Sequence, residues 1–206
     1  PQGTGSADLE VSKLIAFRTE LKSRGINISF GDLYVKVCAC AVEENMVMNA
    51  SRQDGKIIYY DDININVMAT INGYLMQPVI EKADTKNIEE ISEELQKTYE
   101  YLRRGRLMKV KLDGGTISCN NLGAYMIDDI HPFLYPPQAA HFGVSRNRVV
   151  PVFNEAGEVV PGNMTLFSLT IDHGALDGVE VAKFLTTVNK IVQDPWTYMY
   201  HKATPR

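Results

Sequence analysis

The spacing of apolar residues changes several times along this chain, and the order of these changes limits its possible folds. Two segments with the 3.6-residue period of helices come first, strands with a two-residue period follow, and then a helix, more strands and a last helix. The predicted helices begin near Ser12, Ser29 and Asn87 and at Gly178, and the predicted strands cover 63–70, 74–80, 116–120, 139–145, 148–153 and 164–172. Since strand and helix do not alternate regularly, we expect an α/β (α+β) two-layer sandwich in which helices flank a mixed β-sheet.

Charge and composition exclude several classes of protein. The 206 residues carry a formal net charge of −4 and have no basic stripe interleaved with aromatic residues, so we expect no nucleic-acid partner. No apolar run approaches the roughly 20 residues that span a bilayer, and no signal-peptide pattern opens the chain. The sequence therefore predicts a protein without a membrane partner.

Cysteine usage indicates a reducing compartment. The three cysteines, Cys38, Cys40 and Cys119, form no disulfide framework and lack the paired spacing of a zinc site. We expect Cys38 and Cys40 to be buried small apolar residues, and we expect no metal.

The length suits one large domain. Pro1–Ser6 reads Pro-Gln-Gly-Thr-Gly-Ser, which is a linker-like composition. We therefore expect residues 1–7 to be a linker or a cloning remnant, and residues 8–206 to form the folded domain.

His173 is the first candidate for chemistry. It follows the apolar strand Leu166–Ile171 and precedes the last helix, and a rigid scaffold often presents a reactive group at such a strand end. Asp177 lies four residues later, but Asp177 with Glu180 also has the spacing of a helix capping box. Local sequence leaves a catalytic and a purely structural interpretation open.

Five blocks together resemble one family. The segment Asp172–Gly178 (D-H-G-A-L-D-G) is similar to D-H-x-x-x-D-G, Gly115–Gly123 to G-T-F-T-I-S-N-L-G, and Tyr135–Val144 to N-P-P-Q-x-A-I-L-G-V. Asn49–Ser51 and Pro78–Ile80 resemble L-N-A-S and V-P-V-I. In the chain order 49–51, 78–80, 115–123, 135–144 and 172–178, and over nearly the whole chain, these motifs resemble the catalytic (inner core) domain of the dihydrolipoamide acyltransferases of 2-oxo acid dehydrogenase complexes. Chloramphenicol acetyltransferases carry a related H-x-x-x-D-G.

This resemblance implies a chloramphenicol acetyltransferase-like, trimeric fold with active sites in channels between subunits, and a larger core assembly. It also implies acyl transfer between dihydrolipoamide and coenzyme A, with coenzyme A as a substrate and the lipoyl group supplied by a separate domain. The implied partners are that lipoyl domain and the decarboxylase and dihydrolipoamide dehydrogenase components. The implied compartment is the cytoplasm or the mitochondrial matrix.

The resemblance also implies roles for single residues. His173 corresponds to the general base, and Asp177 to a structural carboxylate of the loop. The serine that donates to the oxyanion falls at Asn120 in the ungapped comparison, whereas a shift of two residues places Ser118 there instead. A second departure is Gly174, where the family usually carries an arginine.

Other interpretations remain open. The substitutions at Asn120 and Gly174 suit a structural core subunit with weak or no activity, and a stand-alone acetyltransferase for a small hydroxylated acceptor is a third hypothesis. Cys119 and His173 make a poor nucleophilic pair, because strand alternation turns Cys119 away from its neighbours' face. His131 and His141 lack the spacing of metal ligands, and we expect both to be structural. His141 stands where the family usually has an apolar residue, so it is also a candidate for lining the channel.

Overall fold

The computed structural model describes residues 1–200. Its helices are α1 (Ser12–Ser23), α2 (Phe30–Glu44), α3 (Ile88–Arg103) and α4 (Gly178–Gln193). Its strands are β1 (Gln2–Glu10), β2 (Ala50–Gln53), β3 (Lys56–Tyr59), β4 (Ile65–Val67), β5 (Ala69–Ile71), β6 (Tyr74–Met76), β7 (Val79–Ile80), β8 (Ile117–Asn121), β9 (Ala140–Phe153) and β10 (Val159–Asp172).

Six strands form the main sheet, in the order β1-β10-β9-β8-β4-β7. β10 pairs antiparallel with β1 and β9, β8 pairs parallel with β9 and β4, and β7 is antiparallel to β4. The remaining four strands form two hairpins, β2–β3 and β5–β6. The main sheet is therefore mixed, as predicted.

The helices lie on one face of this sheet. In β9, Ala140, Phe142 and Val144 alternate into the hydrophobic core, to which all four helices contribute. The ring of Phe142 meets that of Phe184 on α4, with centroids 5.6 Å apart. One helical layer over one sheet confirms the two-layer sandwich.

The opposite face of the sheet carries small and polar side chains. Ser118, His141 and Ser168 occupy it on β8, β9 and β10, and all three are buried. Backbone carbonyls of the covering segment 124–138 accept hydrogen bonds from this face. Ser168 Oγ donates to the backbone carbonyl of Ile130. Nδ1 of His141 forms a hydrogen bond with the backbone carbonyl of Phe133.

The prediction that residues 1–7 form a linker is wrong. Residues 2–7 belong to β1, which pairs along its whole length with β10, from Gln2 opposite Asp172 to Glu10 opposite Met164. The small residues reflect close packing instead of flexibility. A Cβ atom at Gly5 would lie 2.6 Å from Val181 Cγ1 of α4.

Other strand boundaries also differ from the prediction. The predicted strands 139–145 and 148–153 are one continuous strand, β9. The predicted strand 74–80 is divided into β6 and β7 around Pro78, whose nitrogen has no hydrogen to donate to a sheet. Between residues 1 and 200, no helix has the length and apolar character to cross a membrane.

Candidate active site

β1 fixes the position of His173 immediately after β10. The backbone N–H of His173 donates to the carbonyl of Pro1 at 2.9 Å, and a Cβ atom at Gly3 would lie 3.2 Å from His173 Cδ2. The ring is exposed and borders two surface grooves, one with Tyr59 and Asp177 and the other along β1. The structure therefore presents this imidazole to solvent on a backbone that β1 holds in place.

Arg52 of β2 holds the residue before His173. Its Nε and Nη2 donate to the two carboxylate oxygens of Asp172 at 2.6 and 3.2 Å, and the N–H of Gly174 donates to Asp172 Oδ1 at 2.9 Å. These hydrogen bonds and the charge of Arg52 outweigh partial burial and lower the pKa of the Asp172 carboxyl. A bidentate ion pair therefore joins the turn around His173 to β2.

The guanidinium of Arg52 also explains why position 174 is a glycine. A Cβ atom at Gly174 would lie 2.9 Å from Arg52 Cζ. A positive charge therefore stands beside this turn although position 174 lacks the arginine of the resembled family. Sequence reasoning missed Arg52, because the contact joins residues 120 positions apart.

Asp177 caps α4, as its spacing from Glu180 predicts. Its side chain accepts a hydrogen bond from the backbone N–H of Val179 at 2.8 Å, and its own N–H donates to Glu180 Oε2 at 3.0 Å. The interaction with the neighbouring Glu180 is the larger cause, and the hydrogen bond from the Val179 N–H the second, of a lowered pKa for the Asp177 carboxyl. Asp177 thus begins α4 with a complete capping box.

Asn120 and Ser118 share a face of β8 but differ in their surroundings. Ser118 is fully buried, and its hydroxyl donates to Gln138 Oε1 at 2.6 Å. Asn120 is half-buried, makes no side-chain hydrogen bond to any residue of the described chain, and borders a cavity of about 500 Å³. Of the two, Asn120 has the side chain that is free to bind a ligand.

Asn120 and His173 lie far apart within one chain. Asn120 pairs with Gly143, which pairs in turn with Ser168. His173 is five positions beyond Ser168 and two strands away from Asn120. At about 3.3 Å per residue and about 4.8 Å between strands, their Cα atoms are roughly 19 Å apart. Their cavities share no lining residue, so the two side chains cannot reach the same thioester carbonyl within a single chain.

The remaining candidates fall into three settings. Cys119 is buried, and its thiol lies beside that of Cys38, on the helical side of the sheet. His131 is exposed and bonds Asp129 at 2.8 Å. His141 borders the same cavity as Asn120. Within residues 1–200, no three His, Cys, Asp or Glu side chains are grouped as metal ligands.

Comparisons with known proteins agree with this fold. The family model of the 2-oxoacid dehydrogenases acyltransferase (catalytic domain) matches residues 1–200. The lipoamide acyltransferase component of the branched-chain alpha-keto acid dehydrogenase complex of Bacillus subtilis is 30% identical over 198 residues, which are 94% of this chain and 47% of that protein. The chain thus spans about half the length of the curated relatives it matches.

Solved structures extend the likeness. A probable dihydrolipoamide acetyltransferase from Listeria monocytogenes superposes with a TM-score of 0.88 at 25% identity, covering 99% of this chain and 88% of that one. A dihydrolipoamide acetyltransferase of Azotobacter vinelandii, solved to study a serine, a histidine and an asparagine of its catalytic mechanism, gives 0.88 at 24% identity, covering 96% and 84%. Its asparagine stands four positions after its histidine.

A chloramphenicol acetyltransferase has the same fold, with a TM-score of 0.65 at 16% identity, covering 93% of this chain and 88% of that one. Together with the family model over residues 1–200, the shared fold leads to one conclusion. This chain belongs to the family of 2-oxoacid dehydrogenase acyltransferase catalytic domains.

Proposed function

We propose that this chain transfers an acyl group between coenzyme A and dihydrolipoamide, with His173 as the general base. The observation that carries the proposal is the position of His173. It is exposed, held by β1 at the end of β10, and framed by the Asp172–Arg52 pair and the Asp177 cap. In the Azotobacter enzyme the studied histidine and asparagine are four positions apart, and here Asp177 stands four positions after His173.

The reaction needs a base of this kind. An ordinary imidazole has a pKa near 6.5 and an ordinary thiol one near 8.5, so proton transfer between them at neutral pH is only mildly uphill. His173 takes the thiol proton, and the thiolate sulfur attacks the carbonyl carbon of the thioester. The tetrahedral intermediate then expels the other thiolate, which takes the proton from the imidazolium. Such base assistance is worth about 10²–10⁴ in rate.

The oxyanion of that intermediate requires a hydrogen-bond donor, and we assign it to Asn120. An amide NH₂ group has two donors, and this one has no competing partner within the described chain. Ser118 remains the alternative, but its hydroxyl already donates to Gln138. A single preorganised donor to an oxyanion is worth roughly 3–4 kcal/mol.

The separation of roughly 19 Å between His173 and Asn120 supports a site that two chains share. In a trimer, His173 of one subunit would face Asn120 of its neighbour in the channel between them. Trimers would build a larger core that serves the lipoyl domain and the decarboxylase and dihydrolipoamide dehydrogenase components. Cytoplasm or mitochondrial matrix would be the compartment.

Acetyl-CoA and dihydrolipoamide test this proposal directly. We expect the protein to form acetyl-dihydrolipoamide, and His173→Ala to lower kcat by at least about 10². Asn120→Ala should lower kcat by about 10²–10³, whereas Ser118→Ala should mainly lower stability because it leaves Gln138 Oε1 without its donor. Full activity in His173→Ala would refute the mechanism.

A structural core subunit without turnover is the second candidate. It is favoured by one observation, namely that Asn120 stands where the resembled family has its serine. A stable trimer that shows no transfer from acetyl-CoA, propionyl-CoA or branched acyl-CoAs would support this alternative. Replacement of Asn120 by serine should then restore turnover if the oxyanion donor alone had been lost.

A further inference from the structure

His141 lines the cavity that Asn120 also borders. It belongs to β9 and pairs with Ser118 of the neighbouring β8, so its Cα atom lies diagonally opposite that of Asn120, roughly 8 Å away. The side chain is only 4% exposed. His141 and Asn120 thus line the same cavity from one face of the sheet.

The hydrogen bonds of the ring define what its two nitrogens can do. Nδ1 lies 2.7 Å from the carbonyl oxygen of Phe133. Since a carbonyl only accepts, Nδ1 must carry the proton and donate. Burial lowers the pKa of His141 more than this hydrogen bond raises it, so the ring is neutral at pH 7. Nε2 is therefore a bare acceptor.

No described residue donates to that acceptor. Nε2 of His141 is buried and has no hydrogen-bond partner, although buried polar atoms are normally paired. Leaving a buried acceptor unpaired costs free energy, so a ligand group that donates a hydrogen bond to it is bound more tightly. Most of the other cavity-lining side chains are apolar or aromatic, among them Met68, Leu75, Phe133 and Tyr135, so His141 is placed to select between ligands of similar shape.

We propose that His141 is a specificity-determining residue, whose Nε2 accepts a hydrogen bond from a hydroxyl or amide N–H of the bound acyl thioester. This inference rests on the proposed function, which places the thioester carbonyl at Asn120. Two parts of an acyl-CoA have a donor within a few bonds of that carbonyl. One is a hydroxyl on the acyl chain, and the other is the pantetheine amide nearest the sulfur.

Binding of matched ligand pairs to the assembled protein distinguishes these two sources. The first pair is lactoyl-CoA and propionyl-CoA, which differ by one hydroxyl. The second is S-propionyl-pantetheine and an analogue with an ester oxygen in place of the N–H nearest the sulfur. We expect the donor-bearing member of one pair to bind about fivefold tighter, as one hydrogen bond of ordinary strength gives. Equal dissociation constants within both pairs would overturn the proposal.

Substitutions assign this preference to the ring. His141→Leu removes the acceptor and should bring the ratio of dissociation constants close to one. His141→Gln places an amide oxygen near the position of Nε2 and should keep most of the ratio, although both variants lose the bond to Phe133. His131→Leu is the matched control, because that histidine is exposed and lies outside the cavity. An unchanged ratio in a folded His141→Leu protein would refute the role of His141.

Two further measurements cover the case in which the variants do not fold, and separate this proposal from the proposed function. If neither His141 variant folds, a crystal structure of the parent with its tighter ligand must show a donor within about 3.2 Å of Nε2, and a donor placed elsewhere overturns the proposal. Turnover is measured in parallel with His173→Ala. Absence of acyl transfer in the parent would refute the proposed function, whereas the dissociation constants decide the role of His141 independently.

Discussion

Mixed trimers test whether two chains share each site. His173→Ala removes the base and Asn120→Ala removes the oxyanion donor, and each homogeneous variant should be nearly inactive. The two positions are roughly 19 Å apart in one chain, so under the proposed mechanism an intact site takes His173 from one subunit and Asn120 from its neighbour. A mixed trimer contains such a pair even though every one of its chains lacks either His173 or Asn120.

The expected recovery follows from counting sites. When equal amounts of the two variants assemble at random, half of the subunits carry His173, and half of the neighbours that face them carry Asn120. About one quarter of the sites in a cyclic trimer are then intact. Acyl transfer from acetyl-CoA to dihydrolipoamide should recover to about one quarter of the parent rate per subunit, provided that subunits are mixed by co-expression or by joint refolding.

A second mixture supplies the control. Parent chains mixed with chains that carry both substitutions should also retain about one quarter of the activity if sites are shared, but about one half if each site lies within one chain. No recovery in the first mixture, combined with one half in the second, would refute the shared site. Separately assembled variants mixed without exchange should show no recovery in either case.

Three smaller predictions concern stability. Gly5→Ala should lower the free energy of unfolding by about 1–3 kcal/mol because its Cβ would overlap Val181 of α4; an unchanged midpoint in guanidinium would contradict this packing. The Arg52 pair lowers the pKa of Asp172, so its stabilisation is present above the ordinary carboxyl pKa and is lost as the pH falls through the folded value. Asp172→Asn should therefore lose less stability on acidification, as unfolding curves at several pH values will show. The pKa of His141 is also lowered by burial. Below about pH 6.5 the unfolded chain binds a proton at this residue that the folded chain does not, so the free energy of unfolding falls as the pH is lowered. His141→Gln should remove this contribution to the fall.

The helices were the most predictable part of the fold. Their ends depend on contacts within one turn, such as the capping box of Asn87 and Glu90 at the start of α3, and such contacts are visible in a short stretch of sequence. The strands were less predictable, because their partners are distant. The small residues of β1 have no periodicity of their own, and only α4 and His173, which pack against them, explain why they are small.

The candidate site was predicted unevenly for the same reason. The motif around His173 marked the proposed base, and alternation along β8 separated Cys119 from its neighbours. Alternation placed Ser118 and Asn120 on one face, however, and did not choose between them. The choice required the hydrogen bond from Ser118 to Gln138, and the role of Arg52 required its contact with Asp172.

The pairing of β1 with β10 has a consequence for synthesis of the chain. Gln2 pairs with Asp172 and Glu10 with Met164, so β1 leaves the ribosome long before its partner exists. At typical translation rates the wait is roughly 8–30 s. The glycine, serine and threonine residues of β1 expose little apolar surface during this interval, so the unpaired segment has little tendency to aggregate. The strand that holds the backbone of His173 is thus paired only after β10 has been synthesised.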